Sequence, residues 1–183
     1  MDLQDIKKRK DAIDELKEEL VQCVVDDQDL FADVNIVQLV SFSIDKIEYG
    51  VDILAVHDIL RMPDITRLPN TPDFIKGVIN LRGNVVPVVD IKRRFGLARA
   101  KFTDSSRIIV IETNSKLVGL LVDNVNQVVR LPETNINPHS ELIDGISEEF
   151  IQGIGRMRDR LIIILTLSHI LFEEEKEVMF ESQ

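Results

Sequence analysis

A single cysteine, Cys23, stands in the 183 residues, so no disulfide can form within the chain. Three scattered histidines, His57, His139 and His169, add no metal-ligand spacing to it, and a structural metal is not expected. Basic residues are in deficit: 22 Lys and Arg face 32 Asp and Glu, a formal charge of −10, leaving no basic footprint for the backbone of DNA or RNA. Long apolar runs are missing too. The most apolar one, Leu161 to Leu167, is far too short to cross a bilayer, and the first ten residues, MDLQDIKKRK, lack the apolar core of a signal peptide. A soluble cytoplasmic chain without membrane insertion is the expectation. No phosphate-binding loop of the G-x-x-x-x-G-K-[ST] type and no G-x-S-x-G elbow occurs, and the glycines of Gly153-Ile154-Gly155 lead into an apolar strand, not a helix. No histidine sits in a pattern that joins it to a nucleophile. Neither catalysis nor a cofactor is expected.

What is present is strong patterning in a chain that is 44% hydrophobic, enough for a real core. Ile6, Ile13 and Leu20 recur every seven residues, with Leu16 and Cys23 on the neighbouring stripe, which predicts an N-terminal amphipathic helix. It either covers the protein's own surface or docks a partner, and Arg9 interrupts its stripe. An acidic linker, Asp26 to Asp33, completes an N-terminal region of residues 1–35. From Ile36 the period becomes two. Val40, Phe42 and Ile44 alternate with Ser41, Ser43 and Asp45, and Ile47, Tyr49, Val51 and Ile53 with Glu48, Gly50 and Asp52, a hairpin turning at Asp45-Lys46. A short helical turn in LAVHDIL follows, then short extended runs in ITRLP, GVINL and VVPVVDI, the last needing an edge or a bulge at Pro87.

The second half repeats this order. RIIVIET and KLVGLLVD form a hairpin through Asn114-Ser115, and VVRLPETNINP parallels ILRMPDITRLP. FIQGIGRMRDRLIIILTL aligns without gaps on FIKGVINLRGNVVPVVDI, with Phe150 on Phe74 and Gly153 on Gly77, an offset of 76 residues (150 − 74). Two similar units of about five short strands manage their edges by closing into barrels, roughly over 36–98 and 105–167. The tail, 168–183, reads as a closing helix.

The blocks EYGVDILAVHDI, ITRLPNTPDFIKGVINLRGNVVPVVDIKRRFG, VGLLVDNV and FIQGIGRM resemble the coupling protein of bacterial chemotaxis, the CheW family, over about residues 36–172. The resemblance implies an all-β fold of two intertwined, five-stranded SH3-like barrels packed side by side, and no catalytic activity. It implies an adaptor that joins the regulatory domain of the histidine kinase CheA to the cytoplasmic tips of methyl-accepting chemoreceptors, recruited to membrane-associated arrays whose rings can include further CheW copies. The same domain type also ends the kinase and is fused to receiver domains; the length here favours the free adaptor. A variant adaptor serving a distinct receptor subset is the alternative, and a small-molecule-binding barrel or enzyme a remote one.

Residue by residue, the resemblance places receptor contact at Val56, Gly77, Arg82, Val118 and Gly153, kinase contact at Val51 and Leu54, and a signal-coupling ion pair at Asp58 and Arg82. On the residues alone, Arg82 reads as a solvated charge beside a turn glycine, Val56 and Val118 either line a groove between the barrels, with glycine floors, that takes the apolar stripe of a receptor helix or belong to the core, and the alternation puts Val51 with the buried set. Aspartate at position 58, where the family also uses glutamate, has the shorter reach.

Overall fold

Positive backbone angles punctuate the chain where the sequence predicts its turns. In the computed structural model, which describes residues 3–4, 7–14, 35–97, 102–138 and 146–170, Asp45 takes φ +55, and Asn114 and Ser115 take φ +51 and +62. Left-handed turn residues match the twist of the strands they join. β1 (Ile36–Ile44) therefore folds back on β2 (Ile47–Asp52) with Phe42 opposite Tyr49 and Val40 opposite Val51. The segment LAVHDIL is less helical than expected: a 3-10 turn covers only Ile53–Ala55, capped by Asp52, and β3 (Val56–Arg61) begins at once. In ITRLP only Thr66 pairs, as an isolated bridge to Val78. β4 (Ile75–Leu81) and β5 (Asn84–Asp90) form the second hairpin, and Asp90 caps the short helix Ile91–Arg94.

The second half runs through β6 (Arg107–Thr113), β7 (Lys116–Val122), β8 (Asn124–Pro132), the two-residue β9 (Ile136–Asn137), β10 (Ile151–Met157) and β11 (Arg160–Leu165). A 3-10 turn at Leu167–His169 follows, and the expected closing helix falls outside the described residues beyond Ile170. Of the N-terminal helix, residues 7–14 are helical as expected; Ile6, Leu16, Leu20, Cys23 and the acidic linker lie outside the described residues. The chain divides into two compact units, Met1–Ile36 and Val37–Gln183.

The fold is all-β, two small SH3-like barrels that exchange hairpins. One sheet has the order β8-β1-β2-β11-β10-β9 and the other β3-β6-β7-β5-β4. Each half thus lends its first hairpin to the sheet of the other half. Parallel seams join the loans, Tyr49 to Ile163 and Gly50 to Ile164 in one sheet, Val88 to Gly119 in the other. Pro87 lies in an interior strand, yet the missing N–H does no harm. Val78, opposite it, turns both polar groups to Thr66 (2.8 and 2.9 Å), so the proline nitrogen faces β7, and the ladder with β7 starts only at Val88.

Leu60, Ile79, Val86, Val88, Ile108 and Val110 fill one barrel, and Leu39, Val129, Leu131, Ile162 and Ile164 the other. The largest core lies between the sheets. Its aromatic rings run in series, Phe42 on Tyr49 and Tyr49 on Phe95 at 5.9 Å, then Phe95 on Phe150 at 5.3 Å. The Arg94 guanidinium lies 4.3 Å from Phe74 and 5.0 Å from Phe150, so one cation bridges the two phenylalanines that the repeat makes equivalent. Ile47, expected on the buried face, is instead half-exposed at the hairpin's end.

The Tyr49 hydroxyl is buried without a hydrogen-bond partner among the described residues, and burial, with the Asp45 charge adding to it, pushes the phenol up to about 12. An unsatisfied buried hydroxyl opposes folding. Tyr49→Phe is therefore expected to leave thermal stability unchanged or raise it by about 1 kcal/mol, and a lowered melting temperature would reveal a bond the hydroxyl does make.

Candidate partner-binding site

The β4–β5 turn is two residues long, Arg82-Gly83, and both are left-handed, at φ +52 and +84. Glycine accepts this without strain; arginine does so at a cost of roughly 1 kcal/mol or more. Asn80 steadies the turn, its Oδ1 accepting from the Gly83 N–H at 3.0 Å. The turn aims the Arg82 guanidinium at Asp58 on β3, with Nη2 3.4 Å from Oδ2. Aspartate thus reaches arginine directly, through one long contact.

Asp58 owes its position to a register shift between Val56 and Asp58 in the β3–β6 pairing, which turns its carboxylate inward. Its side chain is only 5% exposed, and Oδ1 accepts from the Ile59 N–H at 2.8 Å. Arg82 is 36% exposed, so the pair presents its cation outward and hides its anion. His57, beside it, is exposed.

The other expected site residues divide. Val56 and Val118 share one row across the five-stranded sheet through Ile111, and Gly77 lies on the neighbouring row, which runs through Val88, Gly119 and Val110 to Asp58; but Val118 is 1% exposed and both valines belong to the core between the sheets. Of the two readings open for these valines, their burial supports core and not an open groove. Gly153 lies in the other sheet, at a bulge that repeats the one at Gly77. Val51 is fully buried, which removes it as a contact and makes it the platform of its turn; Leu54, on that turn, is 91% exposed. The Asp52 Oδ1 accepts from the Leu54 N–H at 2.9 Å, so the exposed leucine is held on a braced turn.

Sequence reasoning missed two charged clusters. Lys92, nearly buried, bridges Asp45 at 2.8 Å and Asp123 at 3.0 Å; burial opposes its charge, but the two carboxylates raise its pKa. At the mouth of the other barrel Glu48 meets both Ser41 and the fork of Arg160, whose Nε lies 3.0 Å from Oε2. Alternation did place Ser41 and Glu48 on the polar face. What it could not show is that this face turns into a barrel mouth. Burial would raise the Glu48 carboxyl, yet hydrogen bonds from Arg160 and Ser41 with the Arg160 charge hold it below 4.5.

A carboxyl held below its unfolded pKa stabilises the fold above that value and loses the contribution as pH falls through its folded pKa. Glu48→Gln should therefore be less stable than wild type at neutral pH and lose less on acidification to below 4.5, as followed by urea unfolding at a series of pH values. Parallel acid limbs for the two proteins would refute the assignment.

Among the described residues no group of three or more His, Cys, Asp or Glu could hold a metal ion, and no helix is long and apolar enough to cross a membrane. The site offers shape, an outward cation and an exposed leucine.

The family model of the CheW-like domain matches residues 38–175. A chemotaxis protein CheW of Klebsiella aerogenes is 36% identical over 134 residues, covering 73% of this chain and 81% of that protein. One of Helicobacter pylori is 34% identical over 136 residues, covering 74% and 82%. Among solved structures, the scaffolding protein TtCheW of Thermoanaerobacter tengcongensis aligns with a TM-score of 0.73 and 38% identity, covering 78% of this chain and 97% of that one.

Proposed function

Because the chain belongs to the CheW family, a family of chemotaxis scaffolds, we propose that it is a non-enzymatic adaptor coupling chemoreceptor tips to the histidine kinase CheA. The observation that carries the reading is the Asp58–Arg82 pair: a carboxylate only 5% exposed is answered by a guanidinium that stays 36% exposed, so the pair turns its cation outward to a partner. Arg82 meets the receptor side, and Leu54, braced and exposed, inserts into the kinase's regulatory domain. In this role the protein works in the cytoplasm at membrane-associated receptor arrays, and further copies of the family can occupy the same rings.

Purified kinase and receptor-bearing membranes, with and without this protein, test the reading. Kinase phosphorylation that rises with the protein and responds to receptor ligand is the expected result; phosphorylation unchanged by the protein overturns it.

A further inference from the structure

Beside β4 lies a cavity of about 310 Å³ that the adaptor reading does not use. Arg67 lines it from the segment before β4, Lys76 from β4 itself and Arg93 from the short helix. None of the three forms an ion pair among the described residues. In a chain where acids outnumber bases 32 to 22, three bases that line one cavity with no ion pair among the described residues stand out. The Lys76 ammonium lies 4.3 Å from the Phe102 ring centroid, held at the wall by the ring face. Two acids share the lining. Asp90 is engaged as the helix cap, its Oδ1 accepting from the Lys92 and Arg93 N–H groups at 3.1 and 3.4 Å, and Asp73 stands exposed at the rim.

We propose that this cavity binds a small phosphate monoester with a hydroxyl-bearing body, of the sugar-phosphate class. Two guanidinium forks and an ammonium suit a phosphate group, whose oxygens take paired N–H donors. Asp73 offers an acceptor to a hydroxyl of the body, and Phe102 an apolar wall. The volume sits at the lower end of the roughly 300–1,000 Å³ typical of ligand pockets, which favours a single sugar over a dinucleotide. The site is separate from the Asp58–Arg82 pair, and its test does not depend on kinase coupling.

Calorimetric titration of the full chain at physiological salt, with glucose 6-phosphate, inorganic phosphate and glucose as probes, decides it. Saturable binding of glucose 6-phosphate, weaker binding of phosphate and none of glucose are expected. Arg67→Gln and Arg93→Gln should each weaken binding by about tenfold or more, while Arg156→Gln, the same charge change in the other sheet, leaves it unchanged. Absence of saturable binding by either phosphate probe overturns the proposal, as does equal weakening by Arg156→Gln, which would mark diffuse attraction. Melting curves accompany each variant, and Arg67, being exposed, keeps the test alive should Arg93→Gln fail to fold.

Discussion

Gly77→Ala is expected to destabilise the protein by roughly 2–5 kcal/mol, while Gly153→Ala, at the equivalent position of the repeat, costs about 1–2 kcal/mol. A Cβ on Gly77 would lie 2.3 Å from the Thr66 carbonyl oxygen and 2.8 Å from the Ile65 Cγ2, at a φ of +151 that side chains rarely adopt. The carbonyl cannot retreat, because it accepts the Val78 N–H at 2.8 Å. At Gly153 the nearest neighbours, the Asn137 oxygen and the Ile136 Cγ2, are 3.0 Å away and φ is not positive, so a shift of a few tenths of an ångström suffices. Urea unfolding followed by circular dichroism measures both. Should Gly77→Ala prove as stable as wild type and still lose receptor binding, the glycine is a contact; we expect loss of binding through loss of fold.

That contrast shows where the sequence was legible. The 76-residue repeat put Gly77 on Gly153, and the structure returns the same bulge in both, the same left-handed arginine in the following turn, Arg82 and Arg158, and Phe74 and Phe150 under one cation. Both hairpins with their turns were readable because alternation and turn residues are local signals. Hairpin exchange was not readable from periodicity, since the pairs that make it, Tyr49 with Ile163 and Val88 with Gly119, depend on positions far apart in the chain. For the same reason nothing local in the sequence singles out Lys92, which the fold brings to Asp45 and Asp123. Burial set the limit on the site. Val51, Val56 and Val118, where the resemblance implies partner contacts, turn their side chains to the core, and only the structure separated Leu54 and Arg82 as groups exposed at the surface.

Arg82→Gly is expected to fold as well as wild type and to fail in signalling. The turn asks for φ +52, which glycine adopts freely; relief of strain is offset by glycine's greater freedom when unfolded, and a partly exposed single-contact ion pair contributes about 0–1 kcal/mol. Melting should therefore shift little for Arg82→Gly, and Arg82→Ala, which keeps the strain without the charge, should fall slightly below it. Assembly is another matter. Once a partner covers the turn, Asp58 loses its counter-ion and any approach of water, and truncating one member of a desolvated, hydrogen-bonded charge pair costs roughly 2–5 kcal/mol, tens to thousands of fold in affinity. If the two side chains act on each other, Asp58→Arg with Arg82→Asp should regain part of the receptor-dependent kinase phosphorylation that each single change abolishes. A double variant no better than the singles would mean that each charge answers to the partner separately. Full kinase activation by Arg82→Gly would show instead that the strained arginine serves no partner at all.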